Sequence, residues 1–115
     1  MDIYFYETED GTKPAQVFLD SLDPKMLAKM LRTIDLLKNN GIALRRPYSA
    51  LFEDGIYELR AQQGSNISRV LYFFQMGDKA YLTNGFIKKT QKTPRQEIEL
   101  AKKYREDHMR RHPNE

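Results

Sequence analysis

Two arginines interrupt otherwise apolar and aromatic runs on either side of one turn sequence. If the hairpin between these runs turns at Gly64-Ser65, Arg60 lies directly opposite Arg69. Like charges placed in this way are unfavourable by up to roughly 1 kcal/mol unless an anion lies between them. A phosphate group would satisfy both guanidinium groups, so this spacing points to phosphate chemistry.

The alternative for this arginine pair is structural. Each arginine can lay its aliphatic stem on apolar surface and pair with an acid, and Glu58 is the acid nearest in the strand pattern. Under the phosphate interpretation, replacing Arg69 by Ala abolishes activity and leaves the fold intact.

Lysines extend the same positive surface along the next strand. A turn at Gly77-Asp78 places Lys88 on the face that carries Arg69, whereas a slip of one residue presents Lys89 instead, because side chains alternate along a strand. Both lysines therefore stay as candidates.

The stretch that follows (residues 84–95, NGFIKKTQKTPR) contains four cations and no acid. It joins the sheet to the start of a helix, where free amides also favour anions. Besides Lys88 and Lys89, this stretch contributes Lys92 and Arg95 as candidate RNA-binding residues.

Cleavage of RNA without a metal requires a base for the 2′-hydroxyl, stabilisation of the phosphorane charge and an acid for the leaving oxygen. Arginine stays charged and matches phosphate with a planar fork, while a crowded lysine can exchange a proton. We therefore assign charge stabilisation to Arg60 and Arg69, and proton transfer to Lys88, Lys89 or Lys92. The expected products carry a 2′,3′-cyclic phosphate and a 5′-hydroxyl.

Composition removes most other enzyme classes. The chain has no cysteine, which excludes disulfides, thiol catalysis and thiolate metal sites. It lacks HExxH, a phosphate-binding glycine loop and GxSxG, so we expect no metal and no cofactor. The two histidines, His108 and His112, lie in a polar terminal segment, and a solvated tail is favoured there over a catalytic role.

Charge is unevenly distributed along the 115 residues. Residues 1–78 hold nine Lys and Arg against eleven Asp and Glu, while residues 79–115 hold ten against five. A bound polyanion is therefore expected in the last third. No apolar run approaches the roughly 20 residues of a membrane span and the start does not resemble a signal peptide, which predicts a cytoplasmic protein without membrane association.

The length favours one domain over residues 1–115, and the pattern of elements predicts an α+β fold of order β-α-α-β-β-β-α. Asp23 and Pro24 are typical of a helix start, as are Thr93 and Pro94 in a capping box. The predicted strands are residues 2–7, 56–61, 67–76 and 79–88, and the predicted helices begin at residues 14, 24 and 94. Both faces of the strand at 67–76 are apolar, so it should be central. Residues 42–49 are predicted to be a connection.

Three segments, GIYELR (55–60), SRVLYFF (68–74) and NGFIKKTQKTP (84–94), together resemble the phage-related, HigB-type toxins of the RelE/ParE superfamily. The resemblance implies a RelE-like fold, with a small antiparallel sheet packed against two N-terminal helices and a C-terminal helix. It also implies a type II toxin that cleaves mRNA on the ribosome and is inhibited by a HigA-like antitoxin with a helix-turn-helix domain.

Residue by residue, the resemblance puts Arg60, Arg69, Lys88 and Lys89 on the basic positions of the family. The RelE branch often places a catalytic tyrosine near its C-terminus, whereas Tyr104 here falls within the predicted third helix. For Tyr57 and Tyr72, packing in the core is favoured over catalysis. The alternatives are a ParE-like inhibitor of DNA gyrase and an RNA-binding module without catalysis.

Overall fold

A computed structural model of the chain describes residues 1–88 and 92–113. One sheet is flanked by helices on both faces. The strands are β1 (Asp2–Phe5), β2 (Ser49–Leu51), β3 (Tyr57–Gln63), β4 (Asn66–Gln75) and β5 (Lys79–Lys88), and the helices are α1 (Pro14–Asp20), α2 (Pro24–Asn40) and α3 (Arg95–Arg111). A short 3-10 helix, Gly41–Ala43, follows α2. Among the described residues, no helix has both the length and the apolar character needed to cross a membrane.

The sheet is mixed, with strand order β1-β5-β4-β3-β2. The predicted α+β class is confirmed, but the expectation of an antiparallel sheet is wrong at one edge, where β1 pairs parallel to β5. The first two helices carry the chain across one face, so β1 and the later strands need not alternate in direction. The short strand β2 begins within the segment predicted as a connection, because three residues are too few to show a period.

Two apolar layers cover the sheet. The layer on the side of α1 and α2 includes Leu19, Met30 and Val70, and the layer on the side of α3 includes Leu71 and Ala101. Alternate residues of β4 thus face opposite layers, and its middle residues are buried. The prediction that this strand is central and covered on both faces is confirmed.

The start of α2 follows the predicted capping pattern. The Asp23 carboxylate accepts hydrogen bonds from the backbone amides of Lys25 and Met26, both at 3.0 Å, and Pro24 occupies the first turn. The helix ends at Gly41, whose φ of 56° lies in the left-handed region that favours glycine. One end of α2 is thereby fixed by a side chain and the other by backbone conformation.

The start of α3 differs from the prediction. The helix begins at Arg95 after Pro94, and no side chain caps it. The hydroxyl of Thr93 bonds instead to Glu58 and Arg69, so the predicted capping box is wrong. The Thr93 hydroxyl donates to a charged carboxylate here. Such a bond is stronger than the neutral one that the hydroxyl would accept from a backbone amide at a helix start.

The end of α3 also corrects an expectation. His108 is 5% exposed and packs against Phe73 and Tyr81, so the solvated-tail interpretation is wrong for this residue. Its Nε2 lies 3.0 Å from the Gln75 side-chain oxygen. We infer that His108 anchors the C-terminal part of α3 to β4 and β5.

The predicted pairing of Arg60 with Arg69 is confirmed, as is the pairing of Arg69 with Phe86. The second prediction holds because two departures cancel. The turn between Gln75 and Lys79 has three residues rather than two, which shifts the strand pairing near the turn by one residue. An irregularity between Val70 and Tyr72 shifts the pairing back, so that Arg69 still faces Phe86.

Candidate functional site

A groove of about 460 Å³ opens between α2 and the outer edge of β3. It exists because β2 pairs with β3 only as far as Leu59, so among the described residues no strand pairs with the outer edge of β3 from Arg60 onwards. The groove is lined by Lys29, Arg32, Thr33, Pro47, Tyr48, Arg60, Ala61, Gln62, Ile67 and Arg69. These described residues include four cations and no acid, which makes the groove positive.

Helix α2 forms one wall of the groove. Lys29, Arg32 and Thr33 lie three and four residues apart and therefore share one face of the helix. The Lys29 ammonium donates to the backbone oxygen of Gln62 at 3.0 Å, and the Thr33 hydroxyl donates to that of Arg60 at 3.3 Å. These bonds fix α2 against β3 while Lys29 and Arg32 remain exposed.

Our reading of the sequence missed the two cations on α2. A signal was present, because Lys29 and Arg32 flank the apolar stripe that includes Met30 and Leu37, and side chains beside such a stripe lie at the margin of whatever the helix packs against. The partner strand could not be identified from that pattern.

A buried ionic cluster adjoins the groove through two of its lining residues, Arg60 and Arg69. The Glu58 side chain is fully buried, and its Oε1 accepts from Arg69 Nη1 at 3.1 Å and from the Thr93 hydroxyl at 2.5 Å. Its Oε2 accepts from Arg60 Nε. Arg69 Nη1 also donates to the Thr93 hydroxyl at 2.6 Å. Three polar side chains, those of Arg60, Arg69 and Thr93, thus donate to one carboxylate.

The Glu58 carboxylate lies between the two arginines, in the place where the phosphate interpretation put a substrate group. The alternative, in which both arginines pair with Glu58, is confirmed. The Arg69 side chain is 1% exposed and the Arg60 side chain 21% exposed, so Arg60 is the one that reaches the groove surface. Loss of one partner from a buried pair leaves an uncompensated charge, which argues against the expectation that Arg69→Ala leaves the fold intact.

Two of the three predicted lysines, Lys88 and Lys92, are described, and neither is part of the groove lining. Lys88 ends β5, is partly buried and pairs with Ile67, which lines the groove. Lys92 is exposed and directly precedes Thr93, so it lies one residue from the buried cluster. Lys89 lies outside the described residues.

Arg95 belongs to a different cluster. Its guanidinium donates to both carboxylate oxygens of Glu53 and to Glu99. Hydrogen bonds from Arg95 and then Lys102 hold the pKa of Glu53 at about 2. The structure therefore does not bring Arg95 to the groove, and its predicted contact with RNA stays a prediction.

The tyrosines considered for catalysis are packed. Tyr72 is 1% exposed, its hydroxyl lies 2.5 Å from that of Ser49, and burial raises its pKa to about 12. Tyr57 stacks on it at 5.3 Å, so the packing interpretation is confirmed for this pair. Tyr104 stacks on Tyr6 at 4.6 Å, away from the groove.

Tyr48 lines the groove and is 45% exposed. We did not single it out in the sequence, because it lies in a segment without period. An exposed aromatic ring beside cations is the combination that binds single-stranded RNA, through base stacking and phosphate contacts. Within residues 1–88 and 92–113, no group of three or more His, Cys, Asp or Glu side chains is placed to hold a metal ion.

Comparison with known families adds one finding. Residues 17–106 match the family described as "Phage derived protein Gp49-like (DUF891)", which is associated with RelE-type, toxin-like proteins. No curated protein matches the chain at a significant level. The matched residues make up more than three quarters of the chain and include every described residue that lines the groove. The chain therefore belongs to the phage-derived Gp49-like family.

Proposed function

We propose that this protein is the toxin of a type II toxin–antitoxin system and that it cleaves mRNA on the ribosome without a metal. The family supports the toxin assignment, because it is associated with toxin-like proteins. The three basic and aromatic segments described above support the HigB-type branch and a RelE-like arrangement of the elements. The observation that carries the activity is the groove beside β3, with its four cations and an exposed tyrosine.

The groove has the chemistry needed to bind an RNA backbone. Lys29 and Arg32 lie on the exposed wall, where they can contact the phosphates on either side of the scissile one. Tyr48 offers a face on which an unstacked base can lie. A single-stranded message, whose bases are accessible, is therefore a better fit to the groove than a duplex.

We assign the catalytic roles of the two arginines from how far each side chain is buried. Arg60 is exposed enough to contact the phosphorane oxygens, and Arg69 adds positive charge from below while it stays paired. We propose Lys88, Lys89 and Lys92 as the residues from which the base and the acid are drawn. The ribosome orients the message, so free RNA should be a poor substrate.

The proposed partners are the ribosome, the message and a HigA-like antitoxin with a helix-turn-helix domain. We propose that the toxin acts in the cytoplasm, where translating ribosomes are found. An antitoxin that covers the groove would inhibit the toxin by excluding the message.

Translating ribosomes mixed with purified protein, followed by primer extension on the message, test this proposal. We expect cleavage by the unmodified protein and a loss of at least about tenfold in Lys29→Ala/Arg32→Ala, because each charge-assisted phosphate contact contributes about 1.5–3 kcal/mol. Lys25→Ala/Lys38→Ala is the matched control. It removes the same charge from exposed positions of the same helix that do not line the groove, and it should cleave normally.

Growth arrest without cleaved message would reject the nuclease assignment. If the same protein then inhibited DNA supercoiling by gyrase, the ParE-like function would replace it. Binding to RNA with neither effect would leave an RNA-binding module.

A further inference from the structure

We propose that Glu58 is a positioning residue for cleavage: its buried carboxylate sets the orientation of Arg60 and Arg69 and anchors the segment that carries Lys92. This inference rests on the proposed function and adds a residue that contacts neither the message nor the reacting atoms. It concerns the only described acid that both arginines contact.

The carboxylate divides its two oxygens between the two arginines. Oε2 accepts a hydrogen bond from Nε of Arg60, at the inner end of that guanidinium, and Oε1 accepts one from Nη1 of Arg69. A guanidinium held at Nε keeps its outer nitrogens available for a second acceptor. The bond to Glu58 thus points the outer end of Arg60 into the groove.

The strand register explains why one acid can serve both cations. Glu58 and Arg60 are two residues apart on β3, so their side chains leave the same face, and Arg69 lies directly across from Arg60. Without the carboxylate, two like charges would face each other at a buried position and turn apart. Glu58 therefore holds together two groups that would otherwise repel.

Thr93 extends this arrangement to the start of α3. It is 6% exposed, and its hydroxyl donates to Glu58 while it accepts from Arg69. The backbone next to Lys92 is thereby tied to the same carboxylate as the arginines. One buried acid fixes groups that come from β3, β4 and the segment before α3.

The test is Glu58→Gln, which keeps the shape and removes the charge. The amide oxygen of Gln can accept from one arginine, but its amide nitrogen opposes the donors of the other. We expect the cleavage rate at saturating ribosome to fall by roughly 100-fold, as for a displacement of about 1 Å at a reacting group. RNA binding should be unchanged or tighter, because a negative charge is removed from beneath a positive groove.

Glu53→Gln is the matched control. It removes the same charge from an acid that also pairs with an arginine, but on the surface and outside the groove lining. We expect it to cleave like the unmodified protein. Thr93→Val should lose about tenfold in rate, and Thr93→Ser, which restores the hydroxyl, should recover most of it.

Two results would overturn the inference. In one, Glu58→Gln cleaves at the unmodified rate. In the other, it folds but loses RNA binding to the same extent as cleavage, as a purely structural residue would. If the Gln variant does not fold, the pair Thr93→Val and Thr93→Ser decides, and equal rates for the two reject the proposal.

If the unmodified protein does not cleave message at all, the proposed function fails and a separate readout tests the positioning role. The Nε–Hε resonances of Arg60 and Arg69 report order in each guanidinium by NMR relaxation. We expect order in the unmodified protein and mobility in at least one arginine of Glu58→Gln. Equal order in both proteins would reject the positioning role.

Discussion

The groove beside β3 and the outer surface of α3 are both rich in cations, yet they differ in how those cations are paired. On α3, five of the six Lys and Arg residues pair with acids. The pairs are Arg95 with Glu53 and Glu99, Lys102 with Glu53, Arg105 with Asp54, and Arg110 and Arg111 with Asp107. In the groove, Arg60 and Arg69 share one acid, Glu58, and neither Lys29 nor Arg32 pairs with any acid of the described residues.

This difference shows why a charge count along the chain does not locate a binding surface. The positive excess lies in residues 79–115, which predicted a polyanion there. All four cations that line the groove come from residues 1–78, the part of the chain in which acids outnumber bases. What attracts an anion is charge left without a partner, and pairing depends on the fold.

The largest expected effect is the difference in the free energy of unfolding that is lost when a buried arginine or a surface arginine is replaced. Arg69→Ala should lower the free energy of unfolding by about 3–5 kcal/mol, because it leaves the Glu58 carboxylate buried without one of its two arginines. Arg95→Ala should change it by about 1 kcal/mol or less, since exposed pairs contribute little. Urea denaturation measures both, and equal losses would contradict the contrast between the two regions.

A smaller effect concerns the aromatic wall of the groove. Tyr48→Ala should weaken binding of single-stranded RNA by about 1–3 kcal/mol if a base stacks there, and Tyr48→Phe should bind normally. Tyr4, similarly exposed but on β1 and outside the groove lining, provides the control as Tyr4→Ala. Fluorescence anisotropy with an oligonucleotide measures the affinities, and an equal loss at both positions would contradict a stacking role for Tyr48.

The smallest effect lies where α3 meets β1. The hydroxyl of Tyr6 donates to Asp107 at 2.6 Å, and burial together with that carboxylate raises the pKa of Tyr6 to about 12. Tyr6→Phe should cost about 1 kcal/mol near neutral pH.

The pH dependence of this contact has a definite sign. Since the folded pKa of Tyr6 is raised above its usual value of 10, its contribution is complete below pH 10 and is lost as the pH rises towards 12. Thermal melts across this range should therefore show a smaller alkaline loss in Tyr6→Phe. A parallel decline in both proteins would mean that other groups control alkaline stability.

Local patterns in the sequence predicted the parts of the fold that depend on neighbours in the chain. Asp23 and Pro24 mark a helix start, and a glycine turn fixes which residues of β3 and β4 face each other. His108 could have been recognised as buried, because it continues the helical stripe of Ile98 and Ala101. The lesson is that a histidine in a polar stretch still has to be placed on its helix face.

The groove itself could not be predicted, because its walls come from three separate parts of the chain. Lys29 lies on α2, Tyr48 precedes β2 and Arg60 lies on β3. Their proximity follows from how α2 packs on the sheet, and no short-range pattern encodes that contact. Thr93 was misassigned for a related reason, since its partner Glu58 is 35 residues away.

The parallel pairing of β1 with β5 has a consequence for synthesis of the chain. Asp2 pairs with Lys79, so β1 cannot join the sheet until β5 has been made. The β3–β4 hairpin, in contrast, closes through a short loop and can form early. We therefore expect a growing chain to form the Arg60–Arg69 hairpin before β1 docks, so that the sheet is completed only after β5 has been made.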